Sequence, residues 1–217
     1  MDWIKKIETE AGLLGIAELE KPLDELLAVF QFSDSEKEKF NQLNFERRKK
    51  EFLVVRLVAQ ELLNKKPEIS YDDAGQPVLK NSPLNISISH SHELVTVLIS
   101  DKKAGIDVEN INRAIEKAAT RFLSANELKY IKKQENTRAV MILYWSAKEA
   151  VFKCSDLQGI HFNQEITIHP VKFGQSELFQ ADLVKDGKKR FYNCRSFLIK
   201  NNVVVYCVEE ENKITKE

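Results

Sequence analysis

The spacing of apolar positions along the 217-residue chain changes period several times. Leu13, Leu14, Ile16 and Leu19 form a short strand-like segment that ends at Pro22. From Ser33 to Leu63 the period is helical, with Phe52, Val55, Ala59 and Leu62 recurring on one face and Pro67 stopping the run. Within it Arg47, Arg48, Lys49 and Lys50 read as a solvated or ligand-facing turn. The cluster Tyr71 to Pro77 is a turn, and three strands follow, carried by Ile86 and Ile88, by Val95, Val97 and Ile99, and by Ile106 and Val108. The helical period returns from Ala114. Ser124 and Glu127 have the spacing of a capping box, which opens a helix at Ala125, and a further helix is predicted from about Thr137 to Ser155. Beyond Gly159 alternation resumes in Glu165 to His169, Leu178 to Leu183, Phe191 to Leu198 and Val203 to Val208, with Asp186 and Gly187 as a hairpin turn.

Helices followed by strands thus occur twice, around a midpoint near Gly105. The expected fold is α+β: two similar lobes in one chain, residues 1–104 and 105–217, each a small, mainly antiparallel sheet packed with helices, with a ligand cleft between them. Composition narrows the class. With 43% hydrophobic and 30% charged residues the chain is globular. Its 33 basic and 33 acidic residues leave no overall basic field, so nucleic acid is not expected as a main partner. The purest apolar run, Val203 to Val208, is too short to span a bilayer, and Met1 to Glu20 has no signal-peptide pattern. Cys154, Cys194 and Cys207 lie far apart without metal-binding spacing and read as buried thiols of a cytoplasmic protein.

Chemistry concentrates on either side of the midpoint. In Gly105 to Glu109 (GIDVE) a strand would place the Asp107 and Glu109 carboxylates on one face, and adjacent carboxylates suit a hard divalent cation. Alone, the pair is more simply a solvated strand edge. In Trp145 to Lys153 (WSAKEAVFK) helical spacing puts Glu149 and Lys153 on one face, flanked by Trp145 and Phe152, which alone would be a surface ion pair beside core aromatics. In Ile86 to Ser91 (ISISHS), Ser87, Ser89 and Ser91 share a face, with His90 on the other face or at the strand end. No glycines flank a serine as in a hydrolase elbow, so these groups are better read as phosphate donors or a polar strand end. His92, His161 and His169 read as structural.

In the order ISISHS, GIDVE, RFLSANE and WSAKEAVFK, these segments are far more specific than any one of them. Over roughly Arg47 to Gly159 the chain resembles the 4′-phosphopantetheinyl transferases, specifically the two-lobed monomeric, surfactin-synthetase-activating type. The resemblance implies transfer of phosphopantetheine from coenzyme A to a serine of an acyl or peptidyl carrier protein, releasing adenosine 3′,5′-bisphosphate. It also implies that Asp107 and Glu149 ligate magnesium, and that Glu109 either completes that site or acts as general base. Lys153 would meet the pyrophosphate, Ser89 and His90 the 3′-phosphate, and Arg56 the adenine and 3′-phosphate region. Where the family usually has Gly-Lys-Pro, this chain has Gly75, Gln76 and Pro77, so a neutral amide replaces a cation near coenzyme A. Lys80 or the cluster Arg47 to Lys50 could compensate.

A magnesium-dependent nuclease or phosphodiesterase would also gather carboxylates and a lysine. It lacks support here, because Ile111 stands where a carboxylate-x-lysine step would need lysine. A non-catalytic carrier or coenzyme A binding module fits less well with a complete set of carboxylates and Lys153. For the carrier, Arg113 to Lys133 holds six basic residues against two acidic ones, a net charge of plus four. On one helix Arg113, Lys117 and Arg121 would form a stripe.

Overall fold

The computed structural model describes residues 1–174 and 176–210. The chain begins with the hairpin β1 (Ile4–Thr9) and β2 (Gly12–Glu18), followed by α1 (Leu23–Val29), α2 (Asp34–Asn41) and α3 (Glu46–Leu63). A small hairpin, β3 (Ile69–Tyr71) and β4 (Pro77–Leu79), leads into β5 (Asn85–His90), β6 (Leu94–Ser100) and β7 (Ala104–Asn110). After a 3₁₀ turn at Glu116–Ala118 come α4 (Ala119–Phe122), α5 (Ala125–Ile131), α6 (Thr137–Ser155) and α7 (Phe162–Glu165). Strands β8 (Ile166–Ile168), β9 (Ser176–Lys185), β10 (Lys188–Ile199) and β11 (Asn202–Glu209) complete it.

The expected α+β class is borne out. The larger sheets run β1-β2-β6-β5 and β7-β11-β10-β9-β8, with every neighbouring pair antiparallel. Helix α3 packs on the first sheet, burying Leu53, Val54, Leu57 and Val58 with Val95, Val97 and Ile99. In the second, α6 lies over Val203, Val205, Cys207 and Tyr192. The opposite faces meet in a seam where Leu14, Ile16, Leu94 and Leu98 contact Ile106, Val108, Val204 and Tyr206. All three cysteines are buried and free.

Several expectations need correction. The continuous helix over Ser33 to Leu63 is two helices, α2 and α3, separated at residues 42–45. Ser33 and Glu36 cap α2 reciprocally, and Phe45 is extended at the head of α3. Neither glycine nor proline marks the break, so a periodicity reading passes over it. The strand β1 lacks a clear apolar alternation because its outward lysines and glutamate interrupt it. The stripe Arg113, Lys117 and Arg121 is not on one helix. Arg113 precedes the 3₁₀ turn, Lys117 lies within it and Arg121 belongs to the one-turn α4, although all three are exposed.

Elsewhere the local rules operate as expected. Ser124 and Glu127 form the capping box of α5, with Ser124 N–H donating to Glu127 Oε2 at 2.8 Å. The same carboxylate receives Lys148 Nζ at 2.7 Å on Oε2 and the Ile168 N–H at 2.9 Å on Oε1. Lys148 is 0% exposed and also donates to the carbonyls of Phe162 and Ile166. One buried ion pair therefore ties α5, α6, α7 and β8 together. At Gly105 a Cβ atom would stand 2.0 Å from the Ala150 carbonyl oxygen and 2.8 Å from Cys154 N. The missing side chain lets α6 lie directly on β7, which brings Glu149 and Lys153 to the strand that carries Asp107.

Candidate active site

Strand alternation orients the carboxylates of β7. Ile106 and Val108 are buried in the seam between the sheets, so Asp107 and Glu109 project from the other face. Asp107 is 4% exposed. Its Oδ1 accepts from Lys153 Nζ at 2.9 Å and from Ser89 Oγ at 2.8 Å, while Oδ2 is buried without a hydrogen-bond partner. Lys153 also donates to the Ile106 carbonyl at 3.0 Å. Glu109 Oε1 accepts from Trp145 Nε1 at 2.9 Å and pairs with the Arg113 guanidinium. Burial pushes the Glu109 carboxyl above its ordinary value, with Asp107 adding to the effect. Burial, then the charge of Asp107, pushes Glu149 up to about 7, despite the opposing pull of Lys153.

Among the described residues, no three His, Cys, Asp or Glu side chains form a ready-made metal cage. The individual groups nevertheless fit a hard cation. Asp107 Oδ2 is a buried carboxylate oxygen without a hydrogen-bond partner, a hard donor of the kind a divalent cation takes. Magnesium usually takes only one or two protein carboxylates beside phosphate oxygens, so a complete protein cage is not required.

Beside this cluster opens a cavity of about 520 Å³. Its walls come from α3, the β3–β4 hairpin, β5 and the last turns of α6. Arg56, Gln76, Ser89, His90 and Lys153 all line it, so the five residues expected to meet coenzyme A share one space. Phe52, Val55, Tyr71, Ile88 and Phe152 supply apolar and aromatic surface suited to a flat base. Arg56 is 2% exposed, with its guanidinium carbon 3.4 Å from the Phe52 ring centroid. Its Nη1 donates to the Phe52 carbonyl, and its Nε lies 3.3 Å from Glu36 Oε1. Nε and Nη2 nonetheless make no aligned hydrogen bond. A buried cation with spare donors suits an anionic ligand.

Ser89 has an additional task. Its hydroxyl donates to Asp107 and accepts from the Val108 N–H at 3.3 Å, while Ser87 Oγ accepts from the Ile106 N–H at 3.0 Å. The two serines therefore dock β5 against β7 and hold Asp107. Sequence reasoning missed this role, as it missed Trp145 as a donor to Glu109 and Arg113 as its ion-pair partner. Trp145 lies in WSAKEAVFK, 36 residues from Glu109, so its role could have been read only if the α6–β7 contact were known.

Gln76 sits at the cavity wall, where its backbone N–H donates to Asp72 Oδ1 at 2.8 Å. That bond fixes the loop without using the side chain. Gln76→Lys should therefore place a new charge at the cavity and, on the reading that the cavity takes coenzyme A, tighten its binding by about threefold to tenfold. Calorimetric titration checks this, and unchanged affinity would mean that the existing cations suffice.

A second cavity, about 370 Å³, adjoins the carboxylates and is lined by Glu149, Trp145, Arg121, Phe122 and Phe162. Glu149 lines this second cavity, and Lys153, one turn further along α6, lines the first.

Residues 103–207 match the family model of the 4′-phosphopantetheinyl transferase superfamily. The 4′-phosphopantetheinyl transferase psf-1 of Bacillus pumilus is 32% identical over 117 residues, which are 52% of this chain and 45% of that protein. The chain thus spans about half the length of this curated relative. A solved structure, Thermotoga maritima holo-[acyl-carrier-protein] synthase, is similar at 23% identity and a TM-score of 0.40, over 50% of this chain and 63% of that one. The family match takes in β7, with Asp107 and Glu109, and α6, with Glu149 and Lys153. Over residues 103–207, just under half of its length, the chain is thus similar to the 4′-phosphopantetheinyl transferase superfamily.

Proposed function

We propose that the protein is a magnesium-dependent 4′-phosphopantetheinyl transferase that converts an apo acyl or peptidyl carrier protein to its holo form with coenzyme A as donor. The observation that carries this reading is the cavity wall itself: Arg56, His90 and Lys153 stand beside aromatic surface, and Lys153 joins that wall directly to Asp107. In the reaction a carrier serine oxygen forms a bond to the phosphorus bearing pantetheine. The pyrophosphate bond to that phosphorus breaks, adenosine 3′,5′-bisphosphate leaves, and the serine proton passes to a base.

Asp107 and Glu149 would hold magnesium, which when bound neutralises pyrophosphate charge. Glu109 either completes that set or takes the serine proton. Trp145 and Arg113 fix its Oε1, leaving Oε2 for either task. Lys153 stabilises charge growing on the leaving oxygen. His90 faces the 3′-phosphate and Arg56 the adenine end, while the Ser89 hydroxyl, held by Asp107, lines the same wall. The protein acts in this reading as a cytoplasmic monomer whose two lobes divide near residues 104 and 105. Mass spectrometry of apo carrier incubated with the protein, coenzyme A and magnesium tests the proposal. The expected result is addition of one phosphopantetheinyl group, and no addition across a panel of carriers would refute it.

Carrier docking is assigned to the basic surface around Lys117 and Arg121. Both are exposed, and Arg121 borders the cavity that contains Glu149. Lys117→Glu with Arg121→Glu should raise KM for the carrier about tenfold and flatten its dependence on salt, while coenzyme A binding stays unchanged. Steady-state kinetics at low and high salt check this, and unaltered carrier kinetics would place docking elsewhere.

A further inference from the structure

An acid, Glu51, stands beside Arg47, Arg48 and His90 at one end of the larger cavity. Glu51, on α3, is 5% exposed. Its Oε1 accepts from Arg47 Nε at 2.9 Å and lies 3.6 Å from His90 Nδ1, and its Oε2 accepts from Arg48 Nη1 at 2.8 Å. Arg47 also donates through Nη2 to the Ser91 carbonyl at 3.0 Å, which ties it to the turn after β5. Arg48 and His90 both line the cavity, as does Glu51.

Two physical effects of this carboxylate have opposite signs. Its charge lowers the local positive potential and should weaken anion binding. Its bonds fix side chains that would otherwise lose rotamer freedom on meeting the ligand, which should strengthen binding. The second effect has geometric support. The Arg48 side chain is 59% exposed, and its ion pair with Glu51 ties it to a buried anchor on the same helix. Because Arg47 bonds both Glu51 on α3 and the Ser91 carbonyl after β5, it also holds the two walls of the cavity in register.

We propose that Glu51 is a positioning residue that holds Arg48 and His90 as a preformed clamp for a terminal phosphate, setting the preference for coenzyme A over a ligand lacking that phosphate. The inference rests on the coenzyme A reading given above. It assigns to a buried acid a part in selecting an anionic ligand.

The test measures dissociation constants of coenzyme A and dephospho-coenzyme A for wild type and Glu51→Gln by calorimetry. The expected result is about tenfold weaker coenzyme A binding in the variant, with dephospho-coenzyme A changed by less than about twofold. Equal or tighter coenzyme A binding, or an unchanged ratio between the ligands, overturns the role of Glu51. A wild type that binds neither ligand instead overturns the coenzyme A reading. In the Arg48→Ala, His90→Ala background, Glu51→Gln should add no further loss, and an additive loss would show that Glu51 does not act through them. Should Glu51→Gln fail to fold, Glu51→Asp keeps the charge but withdraws it by one methylene. Its expected outcome is the same loss of preference, and retention of wild-type preference overturns the proposal.

Discussion

In the proposed transfer reaction, Asp107→Asn and Glu149→Gln should each lower carrier modification at least about a hundredfold at saturating coenzyme A, because several kcal/mol of charge stabilisation is lost. The substitutions preserve size closely. In Asp107→Asn the amide oxygen can still accept from Ser89, whereas Lys153 loses its full anionic partner. In Glu149→Gln a carboxyl already pushed up to about 7 by burial and by Asp107 becomes permanently neutral. Thermal unfolding should therefore show an intact fold in both. Near-normal turnover in either variant at saturating magnesium would remove these two residues from the chemistry.

The second large effect concerns stability. Lys148→Met should cost roughly 3–5 kcal/mol, since it leaves the Glu127 carboxylate buried without its cation. Lys148 is 0% exposed and donates to Glu127 and to the carbonyls of Phe162 and Ile166, so two further acceptors are orphaned. For a chain of this length the melting temperature should fall on the order of 10 °C. Adding Glu127→Gln should recover only part of the loss, because the same side chain caps α5 and binds the Ile168 N–H. Denaturant unfolding measures both, and a loss below about 1 kcal/mol for Lys148→Met would show that the pair is not a major stabilising contact.

These residues also mark what the sequence could and could not convey. The helix at Thr137–Ser155 and the box at Ser124 and Glu127 were legible because their signals are local: a sustained apolar period and a spacing of three. The hairpin at Asp186 and Gly187 was legible for the same reason, with both residues at positive φ. The separation of α2 from α3 was not, because tertiary packing turns the chain there without a breaker residue. At the site, spacing alone placed Asp107 with Glu109, and Glu149 with Lys153, on shared faces that read as a strand edge and a surface ion pair, whereas their roles, like those of Arg56, Ser89 and His90, depended on family resemblance. Lys148 escaped notice although it lies inside WSAKEAVFK, because a lysine beside a glutamate reads as surface charge. Glu51 was hidden in the run Glu46 to Glu51 for the same reason. Burial distinguishes such residues, and burial is a property of the fold.

The seam between the two sheets has a consequence for how the chain could be divided. The turn at residues 101–103 joins β6 to β7, and on either side of it one sheet has all its strands. A cut there would leave each fragment with a bare apolar wall: Leu14, Ile16, Leu94 and Leu98 on one, Ile106, Val108, Val204 and Tyr206 on the other. Opposite each wall the partner also presents fixed polar matches, with Glu10 meeting Arg195 and Tyr206, and Glu93 meeting Asn202. The hydroxyls of Ser87 and Ser89 await the amides of Ile106 and Val108. The intact chain thus contains, as an internal surface, the complementarity of a heterodimer. The larger cavity, whose walls join α3 and β5 to Phe152 and Lys153 of α6, is completed only when that surface closes.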